Sequence, residues 1–402
     1  MLIKKTILFW ELLVGLLCFN IPVWATLKES FLINADFTGG YYKLKGKDKS
    51  LGINLRLNIG LPFEFDKRNF LLPFYEVSYE ETDRVKTEEG IVWTDKLLDQ
   101  IICIGYTCIF NDKIENKFSL QYFNEQVKGT KDESLNSGLY NYYDCGIKEQ
   151  IKYKGYISRF PTIFEVGYKF YRRQYPHYEG LYYKAYKKGP RWIEDYNGHK
   201  IWLEGNIYQG EKKYFFKYTG LWKLYTDDLV QIKPKSGIEY PFSDEKREEK
   251  INWLEIGFGN NLSNWLVVKL IGEMSERRSN QNYYDTKTPA FYSHFFDYNE
   301  YKISPSLIFC LYETIDCHLN YSYIYKKYKK RPAQDEKGNY LKEKLYKQDH
   351  ILGLITSYPL SKRCGLKVRF YYDISKSNTA YEQTYKYNYQ SINLSLGIKY
   401  EL

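Results

Sequence analysis

Residues Ile392–Leu402 read Ile-Asn-Leu-Ser-Leu-Gly-Ile-Lys-Tyr-Glu-Leu. Ile392, Leu394, Leu396, Ile398, Tyr400 and Leu402 take every second position, with Asn393, Ser395, Gly397, Lys399 and Glu401 between them. Side chains on a strand point alternately to opposite faces, so this stretch is a ribbon greasy on one side and wet on the other. The greasy side needs a cover, either a second sheet or lipid.

The same alternation recurs along the chain. Leu51, Ile53, Leu55, Leu57, Ile59 and Leu61 oppose Gly52, Asn54, Arg56, Asn58 and Gly60. Phe164, Val166, Tyr168 and Phe170 oppose Glu165, Gly167 and Lys169. Tyr214, Phe216, Tyr218, Gly220, Trp222 and Leu224 oppose Lys217, Thr219 and Lys223. Leu319, Tyr321, Tyr323 and Tyr325 oppose His318, Asn320 and Ser322; Leu366, Val368, Phe370 and Tyr372 oppose Lys367, Arg369, Tyr371 and Asp373. Each face is long enough for the roughly 9–11 residues with which a tilted strand crosses a bilayer. After residue 25 no run approaches the ~20 apolar residues of a membrane helix. The mean hydropathy of −0.57 suits a soluble protein. It suits a lipid-spanning barrel equally, because only alternate residues meet lipid.

A chain that ends on such a strand, with an aromatic two residues before its end, resembles a bacterial outer-membrane β-barrel carrying its C-terminal insertion signal, here Leu396, Ile398, Tyr400 and Leu402. Members of that family usually end in Phe or Trp, so Leu402 is a departure. The resemblance implies an all-β fold: one antiparallel transmembrane barrel, porin-like, of about sixteen strands (fourteen to eighteen), with short periplasmic turns and long extracellular loops. It also implies the barrel-assembly machinery as a partner during insertion, outer-membrane lipid and lipopolysaccharide as surroundings, and a homotrimer as the common assembly.

The N-terminus agrees with export. Lys4 and Lys5 precede an apolar run, and Val23-Trp24-Ala25 fits a cleavage site, giving a signal peptide over 1–25 and a barrel over 26–402. Strands are expected to begin near residues 31, 50, 70, 97, 117, 137, 160, 200, 213, 250, 264, 300, 315, 348, 363 and 387. Long polar connections fall near 80–96, 172–199, 225–249, 275–299, 328–347 and 375–386, alternating with short ones. The 172–199 or 225–249 loop is long enough to fold inward and narrow a channel. Tyrosine supplies 44 of 402 residues. That fits aromatic girdles at the membrane interfaces, and an AT-rich genome would enrich it too.

The polar faces supply the candidate pore lining: Arg56, Glu165, Lys169, Lys217, Lys223, Lys269, Lys367, Arg369 and Asp373. Lys367 and Arg369, with Arg56 elsewhere, are the candidate basic ladder. Opposite charges on neighbouring strands also pair across a wall and stiffen it. The net charge of +10 sits mainly in loops. Arg172, Arg173, Lys187, Lys188, Lys329, Lys330 and Arg331 are candidates for contact with lipopolysaccharide phosphates or other polyanions. Nucleic acid is not an expected partner at that location.

Six cysteines follow residue 25 without CxxC spacing, so no metal site is expected. Cys310 and Cys317 could face each other across a two-residue turn, which leaves a cross-strand disulfide open. His318 and Ser322 share a face, but four residues hold them roughly 13 Å apart, too far for a nucleophile–base pair. Asp316 and His318 are close enough to pair in a lumen. No phosphate loop or HExxH motif occurs, and neither an enzyme nor a cofactor is expected.

The expectation is therefore a channel passing small hydrophilic solutes or ions. The rivals are a closed barrel whose basic loops meet polyanions, a transporter of hydrophobic substrates, and a soluble exported β-fold. No fixed 20–50-residue repeat points to a propeller or solenoid.

Overall fold

The computed structural model describes residues 26–27, 32–44, 50–81, 84–86, 91–93, 96–128, 134–180, 184, 191–234, 242–285, 290–311, 314–382 and 387–401. Among them sixteen long strands form one closed antiparallel barrel. They are β1 Leu32–Leu44, β2 Ser50–Gly60, β3 Asn69–Glu81, β4 Lys96–Asn111, β5 Ile114–Lys128, β6 Tyr142–Ile157, β7 Phe160–Gln174 and β8 Tyr196–Gln209. The second half comprises β9 Lys212–Gln231, β10 Phe242–Ser263, β11 Leu266–Ser279, β12 Tyr298–Leu311, β13 Ile315–Gln334, β14 Tyr340–Pro359, β15 Cys364–Ser377 and β16 Tyr389–Glu401. Each strand pairs with its neighbours in sequence, and β16 pairs with β1 from Asn34↔Glu401 to Leu44↔Ser391. Closure leaves the barrel no unpaired edge, which is what a sheet immersed in hydrocarbon requires.

Alternation sets the two faces of the wall. On β16, Ile392, Leu394, Leu396, Ile398 and Tyr400 stand outward and exposed, while Ser391 and Ser395 are buried inside. Leu51, Ile53 and Leu55 on β2, Val166 and Tyr168 on β7, and Leu254 and Ile256 on β10 continue the apolar exterior. Aromatic pairs ring both rims. Tyr168 and Tyr321 bond His199 and His350 through their hydroxyls at 2.8 and 2.7 Å toward one end, and the Tyr214 ring lies 5.3 Å from the Phe258 ring, tilted by 49°, toward the other. A closed barrel with an even strand count, an apolar band and aromatic girdles is an outer-membrane barrel.

One end has tight connections. Gly210 and Glu211 join β8 to β9, and Gly210 takes φ +57°, the left-handed conformation that a two-residue hairpin needs. The other end has longer connections but also longer strands than expected. Residues 225–249 are largely strand, because β9 runs to Gln231 and β10 starts at Phe242. The expected 328–347 loop shrinks to a turn at 335–339 between β13 and β14. β6 begins at Tyr142, not near 137, after a short 3-10 turn at Leu135–Ser137. Residues 1–25 and Leu402 lie outside the described residues.

Cys310 and Cys317 form no disulfide with each other, so that possibility is not realised. Cys310 stands opposite Asp316, and Cys317 opposite Phe309. That one-residue offset puts the two thiols on opposite sides of the wall.

Candidate solute pathway

Register decides which inward side chains share a rung around the wall. On one rung Lys148 of β6 faces Lys169 of β7, which faces Lys200 of β8. Three lysines therefore stand side by side on consecutive strands. Like charges directly opposite destabilise a sheet. Among the described residues none of the three has an ion-pair partner; Lys148 lies 5.1 Å from the Trp202 ring and Lys169 lies 5.2 Å from the Tyr171 ring. Lys169 was in the expected lining, whereas Lys148 and Lys200 were not singled out.

Two residues along each strand is the next rung, Gly167–Trp202–Thr219–Trp253. A Cβ at Gly167 would come within 2.0 Å of the Trp202 indole, so glycine lets that ring lie flat on the wall. The Trp202 indole N–H donates to Glu165 at 2.9 Å. The following rung is charged on six consecutive strands, Glu165–Glu204–Lys217–Glu255–Glu273–Lys302. Lys217 pairs with Glu204 at 3.3 Å and Lys302 with Glu273 at 2.6 Å. Glu255 is in no ion pair among the described residues. Lys200, Lys217, Thr219, Trp253, Leu254, Glu255 and Glu273 line a recess of about 190 Å³ in this wall.

The expected ladder elsewhere is compensated. Lys367 and Arg369 both reach Asp36, at 3.2 and 2.6 Å, and Arg56 reaches Glu76 at 2.6 Å. Asp373 is buried at 1% exposure. Lys269 faces Gly259 and Ser306 on its neighbouring strands. Lys223 lies 3.7 Å from Glu249 and 5.1 Å from the Tyr196 ring.

Toward the long-loop end the lumen fills. Glu249, with its side chain fully buried, accepts from Arg247 (Nε at 2.9 Å) and from Arg277 (2.5 Å). Arg247 also bonds Asp228 at 3.2 Å. Phe296, on the connection from β11 to β12, sits 5.0 Å over Arg247 and 5.6 Å over Arg277. Its anchor is Asp297, whose carboxylate accepts from the Ser279 N–H at 2.7 Å and whose burial pushes its pKa up. Of the two segments long enough to fold inward, 172–199 does send Tyr175 against Tyr142 at 5.3 Å. The cap over the arginines comes instead from 291–297.

The basic loop candidates separate. Arg173 faces inward, forks onto Asp144 at 2.7 and 2.8 Å, and stacks on Tyr142 at 3.7 Å. Lys329 pairs with Glu276; Arg331 bonds the Tyr387 hydroxyl at 3.0 Å and stacks on Phe295. Arg172 and Lys330 are exposed, and Lys187 and Lys188 lie outside the described residues. Ser322 shares its hydroxyl with Ser304 at 2.8 Å, not with His318. Asp316 and His318 make no hydrogen bond or ion pair with each other among the described residues.

No protein-family model and no curated protein matches the sequence. Solved structures similar to the chain include a loop-deletion form of OmpT, an outer membrane protein of Vibrio cholerae, at 10% identity and a TM-score of 0.48, covering 94% of this chain and 100% of that one. Pseudomonas aeruginosa OccD3 is similar at 11% identity and a TM-score of 0.48, covering 94% and 93%. Pseudomonas aeruginosa OccK8 is similar at 8% identity and a TM-score of 0.49, covering 94% and 99%. None of the three reaches a TM-score of 0.5.

Proposed function

From its architecture as a sixteen-stranded, porin-like outer-membrane barrel, we propose that the chain is a channel for passive diffusion of small hydrophilic solutes. The observation that carries this is the inner wall at mid-barrel. It is charged across six consecutive strands, where a barrel closed by packing would carry apolar side chains. Sixteen strands enclose a space too wide for side chains alone to fill, so water occupies it. Carboxylates and ammonium groups on that wall replace part of a solute's hydration and lower the cost of entry. The proposal includes no catalytic step. Arg172 and Lys330 are the exposed cations with which the outer rim would meet lipid phosphates.

A second reading is supported by Phe296 and the Arg247–Glu249–Arg277 network. This packed mouth suits a barrel whose role is structural. Swelling of proteoliposomes in isotonic sugars separates the two. Influx of arabinose and glucose, slowing as the sugar grows to sucrose and raffinose, supports the channel. Vesicles that stay shrunken in every sugar favour the structural barrel.

A further inference from the structure

We propose that the recess between β8 and β11 is a binding site for a zwitterionic solute of the size of a free α-amino acid, with Lys200 receiving its carboxylate and Glu255 its ammonium group. The inference rests on the channel reading and specifies the substrate class of the same lumen. Three observations converge on it. The recess, about 190 Å³, is a concave feature of the charged inner wall. Its lining carries both signs, with Lys217 directly opposite Glu255, Glu273 beyond it, and the Thr219–Trp253 rung between Lys200 and Glu255. The charges divide by engagement as well. Lys217 is held by Glu204 at 3.3 Å and Glu273 by Lys302 at 2.6 Å, while Lys200 and Glu255 have no ion-pair partner among the described residues.

The surroundings reinforce that polarity. Lys200 ends the row begun by Lys148 and Lys169, so its side of the recess is electropositive well beyond one charge. Glu255 stands between Lys217 and Glu273 on a rung that carries four glutamates against two lysines, so its side is electronegative in sum. Holding like charges opposite each other costs stability in an empty wall. A dipolar solute bridging the two sides offsets both repulsions at once, whereas an anion relieves only the lysines and a cation only the glutamates. Trp253 offers the apolar surface against which a side chain can lie, and the Thr219 hydroxyl a hydrogen-bond donor and acceptor beside it.

The test measures flux of L-alanine, acetate, ethylammonium and sucrose into proteoliposomes containing wild-type protein, Lys200→Gln or Glu255→Gln. The expected result is a wild-type alanine-to-sucrose flux ratio several-fold above that in either variant. Lys200→Gln should lower acetate flux, and Glu255→Gln ethylammonium flux, each less than alanine flux. Equal alanine-to-sucrose ratios in all three proteins overturn the site while leaving the channel standing. So does a Lys200→Gln variant that loses acetate flux as fully as alanine flux, which is the mark of a plain anion site. If none of the four solutes enters wild-type vesicles, the channel reading falls. Equilibrium dialysis of radiolabelled alanine against the detergent-solubilised protein then decides the recess alone. Saturable binding lost in both variants supports it, and its absence overturns it.

Discussion

An arginine at Ile256 tests directly whether hydrocarbon covers the exterior. Ile256 is 58% exposed on the outer face of β10, between Leu254 and Phe258 and opposite Phe216 and Gly272. The outward positions beyond this run are Asn252 and Asn260, so Ile256 is near the middle of the apolar band. An arginine near the bilayer midplane costs about 2–4 kcal/mol. Losing the isoleucine's own transfer into hydrocarbon adds roughly 1.5–3 kcal/mol. Ile256→Arg should therefore destabilise the barrel by roughly 4–7 kcal/mol, about three to five orders of magnitude in the folding equilibrium. The control is Asn54→Arg, which points into the lumen opposite Glu80 and should stay within about 1 kcal/mol of wild type. Urea unfolding in lipid vesicles reads both. A loss below about 1 kcal/mol for Ile256→Arg, or equal losses for the two variants, would refute the assignment of the outer face to lipid.

Three further outcomes follow from particular contacts. Glu249→Gln leaves Arg247 and Arg277 buried without their shared carboxylate and should cost about 3–5 kcal/mol by urea unfolding. Asp335, at the β13–β14 turn, has its pKa held below the ordinary 3.8, first by the Asn339 side chain and then by the N–H groups of Asn339, Lys337 and Gly338. A depressed carboxylate contributes stability above its unfolded pKa and loses it as pH falls through the folded one. Amide exchange at Lys337 and Asn339 should accordingly remain slow at pH 3.8 and speed up only below it. A charged methanethiosulfonate reagent should modify the inward thiols Cys103 and Cys310 and spare the lipid-facing Cys145, as mass spectrometry of the labelled protein would show.

What could be read from sequence was local. Alternation within one strand needs no partner, so β1, β2, β3, β4, β7, β9, β13 and β15 begin within one residue of their expected starts. Alternation fails where neither face meets lipid. Asp227, Asp228 and the run Asp244 to Lys250 are polar on both faces because β9 and β10 rise beyond the apolar band, and they read as loop for that reason. The same holds for Lys326 to Gln334 on β13.

The pathway was harder to read because register belongs to pairs of strands. Lys169 declared itself as an inward lysine. That Lys148 and Lys200 flank it depends on how β6, β7 and β8 slide past one another. Likewise Lys367 and Arg369 looked like free cations until closure of β16 onto β1 brought in Asp36, more than three hundred residues earlier. Phe296 carried no signal at all, because its place over Arg247 is set by how a loop folds back.

Single-channel recording in a planar bilayer bears most directly on the claim that a wet passage runs through this greasy cylinder. Reconstituted wild-type protein should give discrete, long-lived conductance steps that grow in proportion to salt concentration. A bilayer that remains electrically silent, while the same preparation shows folded protein by its resistance to unfolding in cold detergent, would contradict the account.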